Sequence, residues 1–259
     1  MKAVVLTGIR QMKMVELPDP EIQKDKDVLL KIEMVGLCGS DVHYYETGRI
    51  GSQIVEYPFV VGHECAATVK AVGKAVKRIK IGDRIVVDPA MACYQCDQCL
   101  AGRENTCRNL RFLGCPGQTE GCLSEYLVMP EQSCFPVSDN LSLERAVLCE
   151  PLAIGYYAVQ QARLISNHNI SILGAGPIGL SCMISAGFQQ IAGIYITEKI
   201  DDRVELARKN CDAWVGNPLK QDIVSDILKQ QPQGLDAVFD CAGQQETIDQ
   251  AVDLLKPGG

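Results

Sequence analysis

Short apolar runs separated by glycine, proline and aspartate recur throughout the first 151 residues. The runs are rich in valine and isoleucine and read KAVVLTG, MKMVELP, DVLLKIEMVGLCG, ATVKAVG, DRIVVDP, SEYLVMP and CFPVSD. Runs of this length that are bounded by turn-forming residues predict β-strands. Because so many short strands follow one another without long helices, we predict a mainly-β, barrel-like unit.

The pattern changes after Pro151, where apolar runs alternate with segments of helical periodicity. The strand-like runs are NISILGAG, GIYITE and LDAVFDCAG, and the helical segments are PIGLSCMISAG, DDRVELARKN, QDIVSDILKQQ and ETIDQAVDLL. This alternation predicts a parallel sheet with crossover helices. We therefore predict a mainly-β domain over residues 1–152 and an α/β domain over residues 153–259, with a bridging helix at CEPLAIGYYAVQQAR.

A stretch without formally charged side chains between Arg163 and Glu198 is long enough to raise the question of a membrane span. Its centre, however, contains helix-breaking residues, which favour a buried strand, a turn and a buried helix. These residues are Gly174, Gly176, Pro177 and Gly179. We therefore do not expect this stretch to cross a membrane.

About four strands precede the final residues KPGG, whereas dinucleotide-binding sheets usually have about six. A Pro-Gly-Gly sequence is typical of a turn that leads into a further strand, so we expect a chain that is shortened at its C-terminal end. The alternative is a natural chain end with a frayed turn.

Composition narrows the class of protein. With 259 residues, 47% of them hydrophobic and 22% charged, the chain is typical of a globular protein. A net charge of −7 argues against nucleic acid or an anionic membrane as a partner. The 13 cysteines are an odd number, and no signal peptide precedes them, so we expect a reducing, cytoplasmic location and no disulfide framework.

The strongest local motif is a CxxCxxC sequence with a fourth cysteine further along. Its residues are Cys93, Cys96, Cys99 and Cys107. Four thiolates suit a tetrahedral, closed zinc site of the structural kind, because no position is left for water or substrate. The alternatives are an iron–sulfur cluster and a group of free buried thiols.

A second set of possible ligands is dispersed along the chain. It comprises Cys38 in GLCGSDVHYYETGRIG, His63 and Glu64 in VVGHE, and Glu150 in CEPLA. Mixed sulfur, nitrogen and oxygen donors suit a catalytic zinc that keeps one position open. Spacing alone supports this site weakly, since an isolated histidine is more often a hydrogen-bonded core or surface residue.

A GxGxxG motif follows the apolar run NISIL and precedes a helical segment. It reads Gly174-Ala175-Gly176-Pro177-Ile178-Gly179. Such glycines allow a tight turn and a close approach of the backbone to a pyrophosphate at the helix N-terminus. Glu198 ends the next strand, where a carboxylate binds a ribose diol and repels a 2′-phosphate. The motif therefore predicts dinucleotide binding with NAD favoured over NADP, against the alternative of an ordinary glycine turn.

Taken together, these motifs resemble the zinc-dependent medium-chain dehydrogenases, and among them the polyol group that includes sorbitol and xylitol dehydrogenases. The resemblance extends over the whole chain and is carried by CGSDVHYYETGRIG, GHE, GDRIVVDP, CxxCxxC with its fourth cysteine, CEPLA, GAGPIG and DAVFDCAG, in that order. It implies a GroES-like catalytic domain followed by a Rossmann-type domain, here incomplete, with two zinc ions per chain and NAD as the cofactor.

The resemblance also implies roles for particular residues. Cys38, His63 and Glu64 would bind the catalytic zinc, and Glu150 would bind that zinc or hold its water. Ser40 and His43 would form a proton relay, while Tyr44 would either line the substrate pocket or only pack beside it. The implied cofactor-binding residues are Gly174, Gly176, Pro177, Ile178, Gly179, Glu198, Arg203, Cys241, Ala242 and Gly243.

The activity implied by the resemblance is oxidation of a secondary alcohol of sorbitol, xylitol or a similar polyol by NAD, which gives a ketose. Alternatives are the same chemistry on threonine, butanediol or a sugar-phosphate alcohol, or a non-catalytic fragment that binds zinc or cofactor. The expected partner is a small-molecule polyol, with neither nucleic acid nor membrane. The resemblance further implies a homo-oligomer for a full-length protein, but not necessarily for this shorter chain.

Overall fold

The structure is a computed structural model that describes all 259 residues. The chain forms two compact units, Met1–Glu150 and Pro151–Gly259. This division lies two residues before the end of the predicted first domain. The first unit is mainly β-structure and the second contains a parallel sheet with helices, so the predicted fold class is confirmed.

The first unit contains twelve strands, three α-helices and two short 3-10 turns. The strands are β1 (Lys2–Gly8), β2 (Gln11–Glu16), β3 (Asp27–Gly36), β4 (Arg49–Ile50), β5 (Gln53–Ile54), β6 (Phe59–Val60), β7 (Glu64–Val72), β8 (Arg84–Val87), β9 (Ala90–Met91), β10 (Arg111–Phe112), β11 (Tyr126–Pro130) and β12 (Cys134–Pro136). The helices are α1 (Gly39–Thr47), α2 (Asp97–Leu100) and α3 (Leu143–Ala146), and the 3-10 turns are Glu104–Thr106 and Glu131–Ser133.

An antiparallel sheet of order β11-β3-β7-β8-β12 forms the centre of the first unit. The smaller sheets have the orders β2-β1-β6, β10-β9 and β4-β5. In the central sheet, Leu30 pairs with Val69 in the register of β3 and β7, and both are fully buried. The same pairing ends at Gly36 opposite Glu64, so the residues that follow β3 lie beside the start of β7.

Gly36 itself allows this close approach. A β-carbon at this position would overlap the carboxylate of Glu64. The next element, α1, is one that the hydrophobic pattern does not mark, because the only side chains it buries are those of Asp41 and Tyr44. Strand pairing and this short helix together bring Cys38 to the neighbourhood of Glu64.

The second unit contains four strands and five helices. The strands are β13 (Asn169–Leu173), β14 (Gly193–Thr197), β15 (Trp214–Gly216) and β16 (Ala237–Asp240). The helices are α4 (Cys149–Gln161), α5 (Pro177–Gly187), α6 (Asp201–Asn210), α7 (Ile223–Gln230) and α8 (Gln245–Leu254). Helix α4 begins two residues before the unit does. The strands are parallel and have the order β15-β14-β13-β16.

The uncharged stretch between residues 163 and 198 forms β13, α5 and β14, as the glycines within it predict. Ile170, Ile172 and Ile196 are almost fully buried, so the sheet forms the core of this unit. A membrane-spanning helix would need more length and more apolar surface than any helix in the structure has. The carboxyl ends of β13, β14 and β16 point to the same edge of the sheet, where α5 begins.

Candidate active site and cofactor pocket

The four cysteines of the CxxCxxC motif form one cluster on the loop that carries α2. Their sulfur atoms all lie within 4.8 Å of one another. Cys96 Sγ is 3.6 Å from Cys99 Sγ and 3.9 Å from Cys107 Sγ. Four sulfurs at about 2.3 Å from a tetrahedral zinc would be about 3.8 Å apart, so the cluster fits this ion.

Hydrogen bonds to the sulfurs suit the deprotonated state that metal binding requires. The backbone amide of Gln95 and the Asn109 side chain lower the pKa of Cys93 to about 6. The Cys107 sulfur accepts hydrogen bonds from the amides of Cys93 and Asn109, each at 3.3 Å. Burial and the adjacent sulfurs instead raise the pKa of Cys99 to about 12, a penalty that a bound cation would relieve.

A second cluster consists of Cys38, His63 and Glu64, whose possible ligand atoms lie within 4.8 Å of one another. Cys38 immediately precedes α1, His63 immediately precedes β7, and Glu64 is the first residue of β7. His63 and Glu64 are 7% and 8% exposed. The structure therefore brings together three of the four dispersed residues. One sulfur, one imidazole and one carboxylate are a donor set suited to zinc.

Cys38 and His63 stabilise each other's charged forms, whereas burial acts against the charge of Glu64. A hydrogen bond with His63 lowers the pKa of the Cys38 thiol, although burial opposes the shift. Burial lowers the pKa of His63, but Cys38 and the buried Asp41 outweigh it and the net shift is upward. Burial raises the pKa of Glu64. The Cys38 sulfur and the carboxyl groups of Asp41 and Glu64 are thus placed where a bound cation would stabilise their ionised forms.

Glu150 is not a member of the compact three-residue group. It is half-buried in the first turn of α4, and burial raises its pKa. The charges of His63 and Glu64 act on its carboxyl group, so Glu150 lies close to the cluster. A role for Glu150 as a zinc ligand, or as the residue that holds the zinc-bound water, stays a prediction.

Asp41 is a residue of this site that the sequence analysis missed. It is 3% exposed, and its carboxylate accepts hydrogen bonds from the amides of Cys38 and Gly62, each at 3.0 Å. Asp41 Oδ1 also lies 3.7 Å from His63 Nδ1. The available signal was an acidic residue three positions after Cys38, in a capping-box position at the start of α1. Asp41 therefore holds the two ligand-bearing segments together.

We expect the substitution Asp41→Asn to weaken zinc binding at this cluster by about 10- to 100-fold, since residues that orient metal ligands have effects of this size. The amide would place a donor where the carboxylate now accepts two backbone hydrogen bonds. Competition with a chelator measures the affinity. Asp25→Asn, at an exposed position in the same unit, is the control, and equal zinc retention in the two variants would contradict the assigned role.

The other residues predicted around this site lie on α1. Ser40 is half-buried and hydrogen-bonds to Cys38, whereas His43 is exposed one turn further along. Tyr44 is 4% exposed, packs in the apolar cluster with Leu6, and donates a hydrogen bond to Gln53 Oε1 at 2.8 Å. Burial raises the pKa of Tyr44 to about 12. Its packing role is thus evident, while a role in substrate binding stays a prediction.

A pocket of about 400 Å³ opens at the carboxyl edge of the sheet in the second unit. Six of the predicted cofactor residues line this pocket: Gly174, Gly176, Glu198, Arg203, Cys241 and Ala242. Residues that the sequence analysis did not identify also line it, namely Thr197, Lys199, Ile200, Pro218, Gln244, Glu246, Thr247 and Gln250. Pro177, Ile178, Gly179 and Gly243 lie outside this lining, in the first turn of α5 and after β16.

Each of the three glycines of the motif is required at its position for a different structural reason. Gly174 has a φ of +106°, which an L side chain rarely adopts. At Gly179 a β-carbon would overlap the carbonyl oxygen of Gly174, so this glycine permits the packing of α5 against the turn. Gly176 caps α5, whose exposed N-terminal amides suit a phosphate.

Glu198 immediately follows β14 and is held by backbone hydrogen bonds. Its Oε2 accepts a hydrogen bond from the amide of Ala175, and its Oε1 accepts from the amides of Lys199 and Ile200, all at 2.8–3.0 Å. Arg203 Nη1 lies 3.8 Å from the same carboxylate. The acidic residue is therefore fixed at the edge of the pocket, in the position where a ribose would be bound.

Asp240 orders the opposite wall of the pocket and was also missed. Its Oδ1 accepts hydrogen bonds from the amides of Ala242 and Gly243 and from the hydroxyl of Thr247, at 3.0–3.1 Å. An aspartate two residues before a glycine-containing turn is the available sequence signal. Asp240 therefore connects the end of β16 to α8.

Comparison with known families matches both halves of the chain. The alcohol dehydrogenase GroES-like domain model matches residues 24–139, and the zinc-binding dehydrogenase model matches residues 177–259. The chain belongs to the zinc-dependent medium-chain dehydrogenases, which makes it an oxidoreductase of the alcohol dehydrogenase type. The predicted family and enzyme class are thereby confirmed.

Individual relatives lie in the polyol group of this family. The chain is 37% identical to a sorbitol dehydrogenase from Bacillus subtilis, over 100% of this chain and 73% of the relative. It is 35% identical to a probable D-xylulose reductase A from Aspergillus fumigatus, over 98% of this chain and 72% of the relative. The resemblance to polyol dehydrogenases is therefore confirmed.

Solved structures agree with this placement. An Escherichia coli oxidoreductase of unknown specificity has a TM-score of 0.93 and 33% identity, covering 100% of this chain and 75% of its own. A Sinorhizobium meliloti zinc-binding dehydrogenase bound to NADP has a TM-score of 0.89 and 32% identity, and the match covers 100% of this chain and 74% of the other. Members with this fold thus include one that binds NADP.

Proposed function

We propose that this chain oxidises a secondary alcohol of a polyol such as sorbitol or xylitol with NAD, giving a ketose. The cluster of Cys38, His63 and Glu64 carries this proposal, because it offers three different zinc donors within 4.8 Å of one another. The names of the polyol-acting relatives support the substrate class. Tyr44 is predicted to lie beside the substrate, and its packing in the apolar cluster with Leu6 would hold its ring in place.

In the proposed reaction a zinc ion bound at this cluster would supply Lewis acidity toward the substrate hydroxyl, and bound NAD would supply the hydride acceptor. Cys38, His63 and Glu64 would hold the metal. Asp41 accepts a hydrogen bond from the amide of Cys38 and lies 3.7 Å from His63 Nδ1, so it helps to keep both residues in place. The second zinc would be held by Cys93, Cys96, Cys99 and Cys107 and would be structural.

The proton of the substrate hydroxyl needs a path to solvent. Ser40 is half-buried next to Cys38, and His43 is exposed three residues later on the same helix. A hydroxyl followed by an imidazole on one helical face provides such a path, so we assign the relay to these two residues. Glu150 would hold a water or complete the metal shell, since its carboxyl group lies near His63 and Glu64.

The preference for NAD over NADP rests on Glu198. Its fixed carboxylate would accept hydrogen bonds from a ribose diol and would repel a 2′-phosphate. Arg203 would lie against the adenosine ribose, and the amides at the start of α5 would face the pyrophosphate. Cys241, Ala242 and Gly243 would form the wall on the side of β16.

We expect Glu198→Gln to reduce the preference for NADH over NADPH by at least about tenfold, because a hydrogen bond to a charged group and a repulsion are lost together. Fluorescence titration of both reduced cofactors gives the ratio of the two dissociation constants. Glu205→Gln, on the exposed face of α6, is the matched control. An unchanged ratio in the Glu198 variant would contradict the assignment.

The proposed activity is tested by assaying the zinc-loaded chain with NAD on sorbitol and xylitol beside threonine, butanediol and a sugar-phosphate alcohol. We expect polyols to be oxidised fastest, with a ketose as product and two zinc ions per chain. Faster turnover of another alcohol would change the substrate class. One zinc per chain and no turnover would instead favour a non-catalytic binding fragment.

Two further expectations belong to this proposal. Five of the proposed zinc ligands are thiols, and thiols stay reduced and able to bind metal in a reducing compartment. We therefore propose a cytoplasmic location. We also propose that the full-length protein is a homo-oligomer. Sedimentation analysis of the purified chain measures its oligomeric state.

A further inference from the structure

Cys182 and Cys241 lie side by side in the second unit, although 59 residues separate them in the sequence. Their sulfur atoms are 4.0 Å apart. Cys182 lies in the middle of α5, and Cys241 follows β16, so the packing of the helix on the sheet brings them together. Neither cysteine belongs to the two candidate metal clusters.

The pair is buried on one side and accessible on the other. Cys182 is 1% exposed, whereas Cys241 is half-buried and lines the pocket at the edge of the sheet. A second pair of neighbouring thiols, Cys65 and Cys122, is 2% and 0% exposed in the core of the first unit. A small molecule in the pocket can therefore reach the pair of Cys182 and Cys241 from the side of Cys241. The pair of Cys65 and Cys122 does not line this pocket.

We propose that Cys182 and Cys241 form an oxidation site, at which hydrogen peroxide converts the two thiols into a disulfide that weakens dinucleotide binding in the adjoining pocket. The proposal of an oxidation site rests on the distance of 4.0 Å between the two sulfur atoms. Its effect on the dinucleotide rests on the proposed function of the pocket.

The hydrogen bond between the two sulfurs favours the first step. Cys241 donates it to the sulfur of Cys182, which lowers the pKa of Cys182 and favours its ionised form, while the same hydrogen bond raises the pKa of Cys241. One sulfur of the pair attacks the peroxide, so that an S–O bond forms, the O–O bond breaks and hydroxide leaves with the thiol proton as water. The second sulfur then attacks the first, so that the S–S bond forms, the S–O bond breaks and a second water leaves. Two thiols are oxidised by two electrons in total, and one peroxide is reduced to two waters.

The disulfide would move the walls of the pocket. Bonded sulfurs are about 2.05 Å apart, so the two residues must approach each other by about 2 Å at their sulfur atoms. The space between Gly174 and the segment after β16 is already tight, since a β-carbon on Gly174 would be 3.3 Å from Ala242 Cβ. The amide of Cys241 also donates a hydrogen bond to the carbonyl of Leu173, at 2.9 Å. Movement of Cys241 would therefore displace the glycine turn, and movement of Cys182 would displace the middle of α5.

Peptide mapping tests the oxidation site directly. The zinc-loaded chain is treated with hydrogen peroxide, alkylated, digested and examined by mass spectrometry. We expect a linked pair of peptides that contain Cys182 and Cys241, which dithiothreitol separates. Cys149 is exposed and serves as the internal reference for a reactive thiol. If Cys182 and Cys241 both remain open to alkylation after Cys149 has been oxidised, the proposal is wrong.

A titration with NADH tests the consequence for the pocket. Trp214 is the one tryptophan of the chain and lies in the second unit, so energy transfer from it to NADH reports binding. We expect the oxidised chain to bind NADH at least about tenfold more weakly than the reduced chain, as displacement of a hydrogen bond to phosphate would cause, and dithiothreitol to restore binding.

The control variant is Cys182→Ala, with Cys182→Ser as a second choice if the first is unstable. We expect it to bind NADH like the reduced wild-type chain and not to respond to peroxide. An equal loss of affinity in this variant after peroxide treatment would overturn the proposal. If the reduced wild-type chain does not bind NADH, the proposed function fails instead, and the peptide mapping still decides whether the oxidation site exists.

Discussion

Replacement of Cys38 by serine is expected to lower kcat/KM for polyol oxidation by at least about a thousandfold, because a metal ion contributes several kcal/mol of charge stabilisation to such a reaction. Serine lacks the thiolate that would bind zinc with His63 and Glu64. The fold should be preserved, since position 38 is the N-cap of α1, where serine is favoured. The amide of residue 38 can still donate its hydrogen bond to Asp41.

Zinc content and thermal unfolding measure this prediction together with the kinetics. We expect about one zinc fewer per chain and little change in Tm. Cys211→Ser is the matched control, because Cys211 is also half-buried, and its sulfur donates a hydrogen bond to the carbonyl of Ala207 that serine can replace. If Cys38→Ser keeps full activity or full zinc content, the assignment of the catalytic metal is wrong.

The predictability of these two metal sites from the sequence differs for a physical reason. The four cysteines from Cys93 to Cys107 lie within 15 residues, so their spacing alone predicts one loop with four donors. Cys38 and His63 are brought together by the pairing of β3 with β7, which a pattern of hydrophobic residues does not specify. Their association was predictable through the family resemblance.

Residues whose role depends on tertiary contacts escaped the sequence analysis altogether. Asp41 is an ordinary acidic residue in the first turn of a helix until the fold places it beside His63 and the amide of Gly62. The same holds for Cys182 and Cys241, since the sequence indicated a cofactor role for Cys241 and did not indicate that the two residues are neighbours. By contrast, the glycine motif and Glu198 were predictable, because one βαβ unit carries all of them and its geometry is set locally.

The site formed by Cys93, Cys96, Cys99 and Cys107 is expected to matter for stability and not for chemistry. Its four sulfurs leave no open position on a tetrahedral zinc, and the surrounding loop carries little apolar material. Two neighbouring side chains, Leu100 and Tyr94, are 77% and 48% exposed. Without a metal, therefore, this loop has few contacts that would hold it folded.

We expect Cys96→Ser to lower the Tm of the first unit by about 10 °C or more, since structural zinc contributes a free energy of folding well above the few kcal/mol that such a shift requires. Serine again suits the local backbone, because position 96 is the N-cap of α2. The loss can thus be attributed to the missing ligand. Calorimetry, zinc content and limited proteolysis of the loop from 93 to 107 measure the effect.

Binding of NADH distinguishes a local effect from general unfolding in this variant. The pocket is formed entirely by residues of the second unit, so Cys96→Ser should bind NADH with unchanged affinity at a temperature below the first transition. Visible absorbance of the wild-type chain tests the alternative of an iron–sulfur cluster, which would be coloured, whereas a zinc site is not. Retention of two zinc ions and the wild-type Tm in Cys96→Ser would favour free buried thiols. A joint loss of one zinc ion and of thermal stability, with NADH binding intact, is the result that a structural metal site requires.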